Sequence, residues 1–337
     1  MKQNNYFSIK FENESVIYLD QTKLPLEENY IETDDYERIA TAIEKLELRG
    51  APLIGIAAAY ALALSIKGEN KNDKEKFETA YKRLKQTRPT AVNLFGALFV
   101  MREEFLRLDD SDDPYKSLRN KAMEIHKKDK EYCDKIGKNG LAIFKKKSTV
   151  LTHCNTGRLA TGGDGTAFNV IKNAFENDLL IFVYADETRP LLQGSRLTAY
   201  ELEKSGIPFA LQTDSSAALL MKENKVDLVI TGADRIALNG DTANKIGTYN
   251  LALLSFHHNI PFYIAAPSTT IDRSISSGDD IEIEYRNSSE LFSIHNTQIT
   301  SLSYNAFTPA FDITPAHLVT GIITEEGVVS FPYNFLV

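Results

Sequence analysis

STVLTHCNTGRLATGGDGTAFNVIKNAFENDLLIFVYADE, residues 148–187, decides the fold. Two short apolar runs, STVLTHC and LLIFVYADE, flank a glycine-rich segment and a stretch with helix character, TAFNVIKNAF. Hydrophobicity within the runs is continuous, not alternating, which marks strands covered on both faces. The same grammar recurs in PFALQTD, DLVITGAD and PFYIAAP, each separated from the next by a helix-like segment. This predicts an open parallel sheet in an α/β domain.

Upstream the pattern differs. FSIKF and SVIYLD alternate and predict one or two short hairpins. DDYERIATAIEKLELRG, KNDKEKFETAYKRLKQT and AVNLFGALFVMREEFLRL have helical spacing, and APLIGIAAAYALALSI is apolar on nearly every face, as a buried helix would be. DDSDDP (109–114) reads as a charged loop with a helix N-cap, before a long lysine-rich helix over roughly 115–144. We therefore expect a smaller, mainly helical N-terminal domain with a short β element at 1–140, and a Rossmann-like α/β domain at 141–337. The tail, AFDITPAHLVTGIITEEGVV, predicts a short helix and then a strand packed back on the sheet.

Composition bounds the function. The chain has 337 residues, 43% of them hydrophobic, and a formal net charge of −8. It has no basic stripe, so a nucleic-acid partner is not expected. Its longest apolar run, Ile54 to Ile66, is too short to span a bilayer, and no signal peptide is evident, so a cytoplasmic protein without membrane contact is expected. Two cysteines, Cys133 and Cys154, make no disulfide framework.

The strand ends carry the chemistry. STVLTHC ends at Cys154, LLIFVYADE at Asp186 and Glu187, and DLVITGAD at Asp234. Ligands bind open parallel sheets beyond the carboxyl ends of the strands. Cys154 is either a buried small hydrophobe or a reactive thiol. The glycines at 157–165 either make tight turns or bring amides to an anion, and Asp164 among them is expected to face solvent. Asp234 either caps a turn or acts as a general acid. Lys245, read at the start of a helix, opposes that helix's dipole unless an anion offsets it. Arg49 and Arg88 adjoin helix breaks and suit either ion pairs or phosphate. No metal-ligand spacing is present. Cys133 reads as packing. Taken together, these residues point to a cofactor-free enzyme acting on a sugar phosphate.

RGAPLIGIAAAYALAL, RPTAVNLFGAL, CNTGRLATGGDGTA, ETRPLLQGSRLTAYEL, GADRIALNGDTANKIGTYNLA and PAFDITPAHLVTGIITEEGV closely resemble the methylthioribose-1-phosphate isomerase family. That family shares a superfamily with the α, β and δ regulatory subunits of translation initiation factor 2B. The resemblance implies conversion of 5-methylthioribose 1-phosphate to 5-methylthioribulose 1-phosphate in methionine salvage. It implies that Asp234 protonates the ring oxygen, and that Cys154 either removes the carbon-2 proton or stabilises the transition state. It assigns substrate binding to Arg49, Gly50, Ala51, Arg88, Gln193, Asn244 and Lys245, and implies a homodimer. The family usually has tryptophan where this chain has Gly96. Two alternatives stand beside this reading: a 5-deoxyribose 1-phosphate isomerase, and a non-catalytic sugar-phosphate or nucleotide-binding regulatory protein.

Overall fold

The computed structural model describes residues 6–68, 74–88, 91–109, 113–294, 297–333 and 335. Pro89, residues 110–112 of the expected charged loop and residues 71–73 of an expected helix lie outside them. The chain forms two compact units. The first runs to Asp134 and takes back Gly157–Gly165; the second comprises Lys135–Thr156 and the chain from Thr166 onward.

The first unit opens with β1 (Ile9–Glu12), β2 (Ser15–Leu19) and β3 (Tyr30–Thr33), joined as an antiparallel meander. The helices α1 (Tyr36–Glu44), α2 (Ala51–Leu64), α3 (Lys74–Lys85) and α4 (Val92–Arg107) follow. Asp35 starts α1 by accepting the Glu37 N–H at 2.9 Å. Every residue of α2 from Leu53 to Leu64 is buried, so its lack of a polar face reflects helices and sheet on all sides. Gly96 lies on the exposed face of α4, and a Cβ there would meet nothing within 4 Å. The long helix α5 (Pro114–Asn139) has proline at its first position, and Asp113 accepts the Lys116 N–H. It stops five residues short of the expected Phe144, because Gly140–Ile143 tightens into a 3-10 turn.

The second unit runs β4 (Ser148–Thr152), α6 (Ala167–Glu176), β5 (Leu180–Asp186), α7 (Ala199–Ser205), β6 (Phe209–Gln212), α8 (Ala217–Lys222) and β7 (Leu228–Thr231). Then come β8 (Arg235–Ile236), β9 (Thr242–Lys245), α9 (Thr248–His258), β10 (Phe262–Ala265), α10 (Ser289–Phe292), β11 (Ser293–Ile294) and β12 (Thr297–Gln298). The chain closes with β13 (Phe311–Thr314), β14 (Gly321–Thr324) and β15 (Gly327–Ser330). Six parallel strands lie in the order β6-β5-β4-β7-β10-β14, with β15 antiparallel at the edge. Val150, Val183, Leu228 and Ile230 pack into one core with Phe168 and Ile171 of α6. Leu151, Val229, Phe262 and Ile264 pack into another with Met221 of α8 and Leu251 of α9. β4, β5, β7, β10 and β14 each feed both cores, which is why their hydrophobicity is continuous. The tail departs from expectation. Phe311–Thr314 pairs with β9, the expected helix is one 3-10 turn at Ala316–Leu318, and a hairpin follows. Pro315 removes an amide donor there, and the flanking β-branched residues favour strands.

The glycine-rich loop Gly157–Gly165 packs within the first unit. Ser8 donates to the Thr161 carbonyl at 2.9 Å, and Gln21 to that of Leu159 at 2.6 Å. A Cβ on Gly162 would lie 2.5 Å from the His126 ring, and one on Gly163 would lie 2.8 Å from the Cys133 Cβ. These glycines let the backbone press against α5. Cys133 is buried beneath them, as its packing role requires. Asp164 does not face solvent freely: it is partly buried and ion-paired to Arg158. The Gly162 amide is also engaged, donating to Asp129 at 2.7 Å.

Burial pushes the Asp129 carboxyl up to about 6 from 3.8, against the opposing Gly162 hydrogen bond. A carboxyl raised on folding stabilises most below its unfolded pKa, and that contribution is lost as pH rises through the folded pKa. Asp129→Asn keeps an acceptor for Gly162 but cannot ionise. We expect its melting temperature to fall less than wild type between about pH 4 and pH 7. Parallel melting curves for the two proteins across that window would contradict the assignment.

Candidate active site

Among the six parallel strands, connections run one way from β4 to β6 and the other way from β7 to β14. The reversal falls between β4 and β7, and a crevice opens at the carboxyl ends of such a pair. Thr152 of β4 lies opposite Ile230 of β7. Cys154 follows one strand end and Asp234 the other, so neighbouring strands about 5 Å apart deliver them to the same edge of the sheet.

Cys154 is 7% exposed and has a left-handed backbone, with φ of 62°. A non-glycine residue holds that conformation only when its surroundings fix it. Two threonines do so. The Cys154 N–H donates to Thr188 Oγ1 at 2.8 Å, and the Thr198 hydroxyl donates to the Cys154 carbonyl at 2.5 Å. Thr188 is held in turn, its N–H donating to Asp214 at 2.7 Å.

Asp234 enters the β8–β9 hairpin. Its N–H donates to the Ala243 carbonyl at 2.9 Å, and Arg235 pairs with Ala243. The hairpin thus sets Asp234 beside Asn244 and Lys245. Asn244 is buried and donates to Thr248 Oγ1 at 2.9 Å. Lys245 ends a strand and does not start a helix. Its ammonium donates to the Ala310 carbonyl at 3.0 Å and lies 4.3 Å from the Phe311 ring centre. At the start of the following helix Asp312 accepts the N–H groups of Gly247 and Tyr249 at 2.7 and 3.1 Å.

Gln193 sits beyond β5, at the start of a π-helical turn, Gly194–Thr198. A Cβ on Gly194 would lie 1.6 Å from the Asp186 carbonyl oxygen, so only glycine lets this turn close on the end of β5. Gln193 is buried, and its Oε1 has no hydrogen-bond partner among the described residues. A buried acceptor left this way is costly, and a ligand hydroxyl would satisfy it. Periodicity gave no signal for Gln193, because a lone amide in a loop has none.

Sequence reasoning also missed His153, Asp214 and Thr188. It expected no metal cluster, yet the fold brings ligand atoms of His153, Asp186 and Asp214 within 4.8 Å of one another. Every one of those atoms is engaged. His153 Nδ1 is 2.8 Å from Asp186 Oδ2, and Nε2 is 2.9 Å from the Ile246 carbonyl. Asp186 Oδ1 accepts from Gln212 at 2.6 Å, and Asp214 accepts the N–H groups of Thr188 and Arg189, both at 2.7 Å. Burial opposes charge on His153, but the Asp186 hydrogen bond and charge, with Asp214 and the Ile246 carbonyl, raise its pKa. Burial also raises the Asp186 pKa, against the pull of His153. Both ring nitrogens face oxygens, so we assign the shared proton to His153. Asp186 is therefore the partner of His153, and the backbone of Arg189 serves Asp214.

Arg49, Gly50, Ala51 and Arg88 belong to the first unit. Gly50 is the N-cap of α2 and Ala51 its first residue, and no side chain caps that end. Arg88 follows α3, and its carbonyl accepts the Ala91 N–H at 3.1 Å just before α4. The uncapped start of α2 directly follows Arg49, and amides in such a position suit an anion.

An open, doubly wound sheet with a thiol and a carboxylate following the two strands at its switch point defines an α/β protein of the kind that binds small molecules there. The chain belongs to the Initiation factor 2 subunit family, whose model matches residues 47–331. A protein from Caldicellulosiruptor saccharolyticus named methylthioribose-1-phosphate isomerase is 49% identical over 329 residues, 96% of each chain. One of the same name from Carboxydothermus hydrogenoformans is 47% identical, again over 96% of each. Among solved structures, 5-methylthioribose 1-phosphate isomerase from Pyrococcus horikoshii superposes with a TM-score of 0.91 at 38% identity, covering 99% of this chain and 96% of that one. The delta subunit of translation initiation factor eIF-2B from A. fulgidus gives 0.85 at 40% identity, covering 98% and 97%.

Proposed function

We propose that this chain is an aldose–ketose isomerase, an intramolecular oxidoreductase that converts 5-methylthioribose 1-phosphate to 5-methylthioribulose 1-phosphate in methionine salvage. Near-full-length similarity to proteins of that name carries the reading. The arrival of Cys154 and Asp234 at neighbouring strand ends supports it.

The chemistry explains the residue types. Phosphate on the anomeric oxygen blocks simple opening of the sugar to a free aldehyde. The bond between carbon 1 and the ring oxygen must break, and hydrogen must move from carbon 2 to carbon 1. Carbon 2 is oxidised to the ketone, and carbon 1 is reduced by the same amount. Asp234 is the general acid that gives the departing ring oxygen its proton. Cys154 either takes the carbon-2 proton or stabilises the charge that develops there. In the first unit Arg49 and Arg88, with the amides of Gly50 and Ala51, suit a phosphate, and in the second Lys245 does. Gln193 and Asn244 bond sugar hydroxyls, and the unpartnered Oε1 of Gln193 supports that role.

Two finer points belong to this reading. The Rossmann-like part of the chain, expected at 141–337, carries the chemistry in a cytoplasmic enzyme, where the free thiols of Cys133 and Cys154 stay reduced. No described helix is long and apolar enough to cross a membrane. The enzyme is a homodimer. The exposed row Tyr249, Leu253 and Phe256 on α9, with Phe256 63% exposed, is an apolar face suited to a second copy.

Incubation with each sugar phosphate and ¹³C NMR for a ketone carbon tests the activity. We expect Cys154→Ser and Asp234→Asn, both folded, to lose turnover by about 10²–10⁴-fold. We expect 5-methylthioribose 1-phosphate to be preferred over 5-deoxyribose 1-phosphate by about tenfold or more, the worth of a small apolar group in a pocket. Full activity in either variant removes the assignment, a reversed preference selects the 5-deoxy substrate, and binding without turnover selects the regulatory reading. For the assembly, Phe256→Glu should shift the light-scattering mass from dimer to monomer; an unchanged dimer places the interface elsewhere.

A further inference from the structure

The segments that bear Cys154, Asp234, Asn244 and Lys245 form a closed circuit. β4 leads into His153 and Cys154. The β8–β9 hairpin sets Asp234 beside Asn244. Lys245 ends β9, and the next residue, Ile246, offers its carbonyl to His153 Nε2 at 2.9 Å. One side chain thereby joins the thiol-bearing strand end to the segment that carries the amide and the ammonium. Its other nitrogen is anchored on Asp186, at the end of β5. His153 is 1% exposed, so no solvent competes for these bonds. Gly247 confirms how closely the turn is pressed on the ring. Its φ is 103°, and a Cβ there would stand 2.9 Å from His153 Cε1.

A neutral imidazole has one donor and one acceptor nitrogen, and only the imidazolium donates at both. Two oxygens flank this ring, so a neutral form would leave one contact without a proton unless Asp186 carried it. The groups that face the ring are Asp186 and the Ile246 carbonyl, and Asp214 and Asp312 add negative charge nearby. We propose that His153, as an imidazolium donating at once to Asp186 and to the Ile246 carbonyl, is a positioning residue that fixes the Asn244–Lys245 end of β9 against the Cys154 end of β4. It touches no reacting atom. It acts through Lys245 and Asn244 on one side and through its neighbour Cys154 on the other. The proposal rests on the functional reading above, which puts those residues in one site.

Kinetics and NMR separate this role from simple packing. Asparagine at position 153 cannot span both acceptors. We expect His153→Asn, assayed where it is fully folded by circular dichroism, to raise KM and lower kcat/KM for 5-methylthioribose 1-phosphate by about 100-fold in all, the cost of misplacing a binding group by roughly an ångström. Because part of its effect runs through Lys245, His153→Asn combined with Lys245→Ala should cost clearly less than the two single effects added together. In wild type, ¹⁵N spectra at about pH 7 should show both His153 ring nitrogens protonated. Wild-type kinetics in folded His153→Asn, full additivity in the double variant, or one unprotonated ring nitrogen would each overturn the proposal. Should His153→Asn fail to fold, the wild-type spectrum decides. If wild type itself converts no sugar phosphate, the functional reading has failed, and the spectrum still decides whether His153 is the double donor.

Discussion

The parallel ladder between β4 and β7 is the constraint on which everything else depends. Thr152 is held opposite Ile230, and the strand order reverses at that pair. Parallel pairing aligns carboxyl ends, and reversal leaves the space beyond them uncovered by a crossover helix. Cys154 and Asp234 are remote in sequence, yet each needs only its own strand end to reach that space. A slip of one residue in the ladder would turn every side chain of the strand to the other core and break the packing of Val150 and Leu151 into separate layers. The same burial that stabilises the sheet therefore sets the register of the chemistry.

Around this pair the molecule uses buried hydrogen bonds to hold backbone where a bare chain would not go. Cys154 has a left-handed backbone because Thr188 and Thr198 bracket its peptide groups. Thr188 depends on Asp214, Asp186 on His153 and Gln212, and the turn after Lys245 on His153 and Asp312. Such a network is favourable only when each member is satisfied, since a buried polar atom without a partner is costly. Gln193 Oε1 is a buried acceptor left without a partner among the described residues.

The sheet was legible because continuous hydrophobic runs such as STVLTHC and DLVITGAD reflect burial on both faces. The helices of the first unit were legible from their period, and the start of α5 from the N-cap signal in DDSDDP. The return of Gly157–Gly165 to the first unit was not, since it depends on contacts with Ser8, Gln21 and Asp129 far away in sequence. Of the glycines there, Gly162 and Gly163 are points of close approach to α5. Of the site, the strand-end residues Cys154 and Asp234 were readable from pattern. Gln193 came only through family resemblance, and His153, Thr188 and Asp214 through neither. Their roles arise from pairing across strands β4, β5 and β6, and no local spacing records that.

A crystal structure of the protein with 5-methylthioribulose 1-phosphate bound tests the central claim most directly. The account predicts the sugar beyond the carboxyl ends of β4 and β7, with the Cys154 sulfur and the Asp234 carboxyl both within about 4 Å of its carbon and oxygen atoms, and Gln193 Oε1 accepting from a hydroxyl. A sugar seated elsewhere, or touching only one of the two groups, would contradict it.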